Sequence, residues 1–104
     1  MKMIRAVVRP EMEEKLLDAL EQEGFAAYTR LNVMGRGRQK GVVKKDVHFL
    51  DSPKSMILIV VEDKEADRLV TLIRKNARTG KMGDGRIFIT PVEKAVTIRT
   101  GEGL

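Results

Sequence analysis

The chain has 104 residues, a formal charge of +5, 42% hydrophobic residues and no cysteine. That length supports one domain with one modest core, of a size that often relies on self-association for stability. The absence of cysteine excludes a disulfide framework, a thiolate metal site and a cysteine nucleophile, and it fits a reducing cytoplasm.

The start, MKMIRAVVRP, is interrupted by Arg5 and Arg9 too early for a signal peptide, and no later run approaches membrane-spanning length, so a soluble protein without membrane insertion is expected. Residues 3–9 alternate, with Ile4, Ala6 and Val8 on one face, which predicts a strand closed by Pro10. Arg5 and Arg9 read as solvated strand-edge charges. Residues 11–23 space Met12, Leu16 and Leu20 four apart, with glutamates in the first turn, which predicts an amphipathic helix stopped by Gly24. Residues 25–35 return to a two-residue period and end at Gly35. The run SMILIVVED, 55–63, has the continuous apolar character of a buried central strand, with Met56, like Met12, facing the core. Asp63 reads as the N-cap of a second helix, 64–78, whose stripe is Ala66, Leu69, Val70, Ile73 and Ala77. A glycine turn, TGKMGDG, leads to a strand at 86–90, and beyond Pro91 a further extended piece is expected at 95–100.

Strand, helix, strand, repeated once, is the order of an α+β ferredoxin-like βαββαβ domain, here one domain over residues 1–104. The stretch between Gly35 and Ser55 has no core-facing pattern, and a loop that long in so small a domain is usually functional or disordered.

Positive charge concentrates in that loop. Residues 25–50 hold Arg30, Arg36, Arg38, Lys40, Lys44 and Lys45 against Asp46 alone. Such a field draws phosphate, carboxylate, nucleic acid or an acidic protein without choosing among them. Within it, GRGRQKG (35–41) has glycines that let a ligand approach the backbone and cations that attract an anion. The segment TGKMGDGR (79–86) has the same character, with Gly83 and Gly85 on either side of Asp84 and a forked donor in Arg86. Two such loops suggest one anionic ligand between them. Neither is a Walker loop or a dinucleotide fingerprint, and glycine-rich basic turns of no function share this composition.

The strings GRGRQKG (35–41), ARTGKMGDGRIFITPVE (77–93) and IRTGE (98–102), in this order and spacing, resemble the PII signal-transduction proteins of nitrogen metabolism. The resemblance covers essentially the whole chain. It implies a homotrimer of ferredoxin-like protomers, a T-loop at about 36–54 that touches target proteins, a short C-terminal extension, and ATP or ADP in the clefts between subunits. It places Gly37, Arg38, Gly85 and Arg86 at the phosphates, with Gly83 and Asp84 shaping the turn and Arg99 reaching in from a neighbour. Thr29 and Val60 would line the base and ribose. Gln39 would ligate a magnesium ion that bridges ATP and 2-oxoglutarate, and Lys40, the backbone of Gly41 and Lys54 would hold the 2-oxoglutarate carboxylates.

Three departures narrow the subfamily. Thr97 stands where many members carry the first arginine of R-I-R-T-G-E. The T-loop is short and has no tyrosine to carry a nucleotidyl modification, and Leu58 stands where glutamate is frequent. These features resemble the nitrogenase-linked PII-like proteins of archaea and anaerobic bacteria, whose two paralogous subunits act together. The first of the two is the better match. The resemblance then implies inhibition of nitrogenase, relieved by 2-oxoglutarate, with Lys44 and Lys45 meeting an acidic target patch and Val47, Phe49 and Leu50 supplying apolar contact.

Other classes fit less well. His48 has no neighbouring ligand or base partner at a useful spacing, and no nucleophile and base pair can be assembled, so an enzyme is not expected. Phe25, Tyr28, Phe49 and Phe88 are scattered rather than set as a stacking platform, which argues against a nucleic-acid-binding module. A general PII protein acting on an ammonium transporter or a nitrogen-assimilation enzyme is the nearest alternative.

Overall fold

The computed structural model describes residues 1–36 and 51–104. β1 (Lys2–Val8) is followed by a 3₁₀ turn at Pro10–Met12 and α1 (Glu13–Gln22), then β2 (Thr29–Gly35), β3 (Ser52–Val61), α2 (Asp63–Ala77) and β4 (Gly85–Pro91). The strands form one antiparallel sheet in the order β2-β3-β1-β4, the α+β ferredoxin-like arrangement. Both helices pack on one face. Their buried stripes, Leu16 and Leu20 on α1 and Leu69 and Ile73 on α2, meet Ile4, Ala6, Ile57 and Ile59 of the central strands.

Phe25 belongs to the end of α1 rather than to a strand. Gly24, at φ +88°, lets its own N–H reach the carbonyl of Glu21 at 3.1 Å and that of Phe25 reach Leu20 at 2.7 Å. This is a Schellman ending, and its apolar residue, Phe25, is buried with the Arg68 guanidinium 4.3 Å over the ring. The strand therefore begins only at Thr29.

Three further expectations are corrected. Glu62, in extended conformation, is the N-cap of α2, while Asp63 is its first helical residue and pairs with the Met1 ammonium at 3.0 Å. That hydrogen bond lowers the Asp63 pKa. Residues 95–100 do not form a strand. They lead into a closed turn in which Gly101 N–H donates to the Thr97 carbonyl at 2.7 Å, and among the described residues their ladder contact is the isolated bridge between Val96 and Gly103. The apolar alternation of AVTI imitates a strand, but the glycine at φ +72° closes the chain on itself.

The third correction concerns β3. Its register places Ser55, Ile57 and Ile59 under the helices, whereas Met56, Leu58 and Val60 fall on the opposite face. Leu31 and Phe88 share that face, both more than 40% exposed, and no element of the described chain covers it. Met56 is thus half-buried on the open side instead of in the core.

Candidate functional site

Antiparallel pairing brings the end of β1 and the starts of β3 and β4 to one end of the sheet, since Val8 lies opposite both Ser55 and Gly85. The glycine turn at 79–86 closes this end. Its centre is Asp84, whose carboxylate accepts hydrogen bonds from the Thr79 hydroxyl, the Thr79 N–H at 2.9 Å, the Gly80 N–H at 2.8 Å and Arg9 Nε at 3.0 Å. The Thr79 hydroxyl above all, with Arg9 and the two amides, holds the Asp84 carboxyl well below the usual carboxylate range. Asp84 is therefore spent on shaping the turn.

Gly85 cannot be any other residue in this geometry. Its φ is +105°, and a Cβ would lie 1.7 Å from the Val7 carbonyl oxygen. The close approach lets the turn pass directly into β4, so that Arg86 emerges opposite Val7 on the open face of the sheet. Arg86 is exposed, and among the described residues it makes no ion pair. Lys54, on β3, donates to the Gly83 carbonyl at 2.5 Å. Lys54, Gly83, Asp84, Gly85 and Arg86 thus form one cluster.

A groove of about 390 Å³ runs from this turn between α2 and β4, lined by Arg74 and Arg78 together with Val70, Ile73 and Ile87. A larger depression, about 460 Å³, lies along α1, but its lining of Glu13, Glu14, Asp18 and Glu21 has the wrong sign for phosphate.

Not every residue implied by the resemblance meets the turn. Thr29 and Val60 are on the open face, with Thr29 opposite Leu58 on the far edge strand. Three strand spacings, roughly 14 Å, separate it from the strand that carries Arg86. Arg99 is exposed in the C-terminal turn and, among the described residues, touches none of the cluster through a hydrogen bond or ion pair. Gly37, Arg38, Gln39, Lys40, Gly41, Lys44, Lys45, His48, Val47, Phe49 and Leu50 lie outside the described residues. On either side of that segment, Arg36 and Asp51 pair at 3.2 Å.

Arg9 is the residue that pattern reading missed. It is 79% buried as a side chain by complement of its 21% exposure, and it is committed to Asp84 and to the Met82 carbonyl rather than to solvent. The signal lay in the topology: in a sheet ordered β2-β3-β1-β4, whatever follows β1 adjoins the turn before β4.

Residues 1–102 match the family described as Nitrogen regulatory protein P-II. The chain belongs to the P-II family. It is 52% identical over 102 residues to the "Nitrogen fixation nifHD region GlnB-like protein 1" of Methanothermobacter marburgensis, covering 98% of this chain and 97% of that protein. It is 53% identical over 102 residues, with the same coverage, to the "Nitrogen fixation nifHD1 region GlnB-like protein 1" of Methanosarcina barkeri. Identity is 45% over 106 residues to "Nitrogen regulatory protein P-II 2" of Methanothermobacter thermautotrophicus, covering 98% of this chain and 92% of that one. This P-II chain is thus a nitrogen regulatory protein similar to relatives named for a nitrogen-fixation region.

Proposed function

We infer that this P-II protein senses ATP or ADP together with 2-oxoglutarate and, through residues 36–54, inhibits nitrogenase until 2-oxoglutarate relieves the inhibition. The observation that carries the sensor reading is the cluster at the glycine turn, where Arg86 and Lys54 flank a backbone freed of side chains at Gly83 and Gly85. That donor set suits phosphate and carboxylate. Gly37, Arg38, Gly83, Gly85 and Arg86 are the proposed phosphate contacts, and Gln39 the protein ligand of a magnesium ion that takes its other oxygens mostly from the nucleotide. Lys40, Gly41 and Lys54 would take the dicarboxylate, which requires Lys54 to share or leave the Gly83 carbonyl.

The wide separation of Thr29 and Arg86 on one sheet supports a cleft completed by a second chain, with Thr29, Val60 and Arg99 offered by the neighbour. The uncovered apolar face supports the assembly itself, a cytoplasmic homotrimer that a paralogous subunit could join. Lys44, Lys45, Val47, Phe49 and Leu50 are the proposed target contacts. The names of the relatives tie that branch to a nitrogen-fixation region, which favours nitrogenase as the target.

A ligand shifts a loop equilibrium only by its differential affinity for the two loop states. Calorimetric titration with 2-oxoglutarate, with and without Mg-ATP, tests the sensor: binding is expected only with Mg-ATP present, and binding of neither ligand to folded protein would overturn it. In a nitrogenase assay the protein should inhibit, and 2-oxoglutarate with Mg-ATP should restore activity. The 45% identity to a general P-II protein favours a second reading, control of an ammonium transporter or nitrogen-assimilation enzyme. Unchanged nitrogenase activity beside intact 2-oxoglutarate binding would select it.

A further inference from the structure

Successive residues of the glycine turn are held by cations from other strands. Arg9, just past the end of β1, donates through Nη2 to the Met82 carbonyl at 2.6 Å and through Nε to Asp84. Lys54, near the start of β3, donates to the Gly83 carbonyl. In a planar trans peptide the carbonyl of one residue and the N–H of the next point in opposite directions. Arg9 on Met82 therefore turns the Gly83 N–H away from the Arg9 guanidinium. Among the described residues the Gly83 N–H donates no hydrogen bond, whereas the turn at Met82–Gly83 directs the Asp84 N–H back toward the Lys81 carbonyl. A free backbone N–H on a glycine turn lined by cations is a donor for an anion.

We propose that Arg9 is a positioning residue for this turn: it fixes the Met82–Gly83 peptide and the Asp84 carboxylate, and so aims the Gly83 N–H at a bound phosphate. The proposal rests on the reading of the turn as a phosphate site. Arg9 is suited to the task because a guanidinium presents several donors in a rigid fork, and two acceptors that diverge need such a fork. An ammonium is a single point of charge. The glycine at 83 belongs to the same device, since a Cβ there would lie 3.2 Å from Arg9 Nη2 and crowd the guanidinium off the carbonyl.

Arg9→Ala and Arg9→Lys test this through three readings: Mg-ATP affinity by calorimetry, thermal midpoint, and amide exchange at Thr79 and Gly80, whose N–H groups rest on Asp84. Arg9→Ala should weaken Mg-ATP binding roughly tenfold, the effect of losing about one charge-assisted hydrogen bond's worth of order. Arg9→Lys should recover the thermal midpoint by restoring a charge beside Asp84, while affinity stays at least about threefold low because the carbonyl is no longer held. That divergence separates positioning from a staple between β1 and β4. Mg-ATP affinity within about twofold of wild type in Arg9→Ala, or affinity that recovers in step with the midpoint in Arg9→Lys, would overturn the proposal. Should Arg9→Ala not fold, Arg9→Lys alone carries the comparison. If the wild-type protein binds no Mg-ATP, the phosphate reading fails, and amide exchange then decides: lost protection at Thr79 and Gly80 supports positioning, and unchanged protection overturns it.

Discussion

On β3, Ser55, Ile57 and Ile59 lie under the helices, while Met56, Leu58 and Val60, one residue out of phase, lie on the face that no helix covers. The first set is at most 5% exposed. Around the second, Leu31 remains 43% exposed and Phe88 48%. A two-layer domain needs apolar residues on only one side of its sheet, and an apolar second side of this extent marks a contact surface. One continuous apolar run therefore supplies the core within the chain and the open face on which the proposed assembly rests.

Substitutions on the two faces should behave differently, and the largest effect belongs to the covered face. Ile57→Ala removes a 1% exposed side chain from between sheet and helices and should lower the unfolding free energy by about 2–5 kcal/mol, read from denaturant melts. A loss below about 0.5 kcal/mol, the range of surface changes, would show that the core is not where the register puts it. The open face should give a change of assembly instead of fold. Leu31→Glu with Phe88→Glu places charge where neighbours would pack, so the helical signal should persist while the mass falls to a single chain and Mg-ATP binding is lost. Retained binding by such a monomer would mean that one chain holds the complete nucleotide site.

The smallest effect concerns the end of the sheet, where polar contacts replace apolar ones. The folded-state pKa of Asp84 is depressed, so its contribution to stability is fully present above the unfolded carboxylate value near 4 and declines as pH falls below it. Melting temperature should therefore fall less steeply from pH 5 to 3 in Asp84→Asn than in wild type. Identical slopes would place the acid sensitivity in other carboxylates.

The contrast between faces also explains what the sequence revealed. Leu16 and Leu20, or Ile4 and Ala6, repeat at helical and strand spacing because each set meets a core, so α1 and β1 were legible. Met56 misled because apolar character does not say which side of a sheet a residue takes. Phe25 misled because its burial is set by the Schellman ending of α1, a local hydrogen-bond pattern that imitates the start of a strand. In the site, Gly83, Asp84, Gly85 and Arg86 were found through a contiguous string. Arg9 was not, because it reaches the turn across 73 and 75 residues of chain, to Met82 and Asp84, and only the strand order makes them neighbours.

The most direct test of the account is the mass of the unmodified protein in solution, by light scattering at micromolar concentration. The open face and the division of Thr29 from Arg86 predict self-association, and the proposed trimer predicts about 35 kDa, three times the 11.7 kDa chain. A mass of 11.7 kDa for folded protein would contradict it, leaving the apolar face without its partner and the nucleotide cleft without its second half.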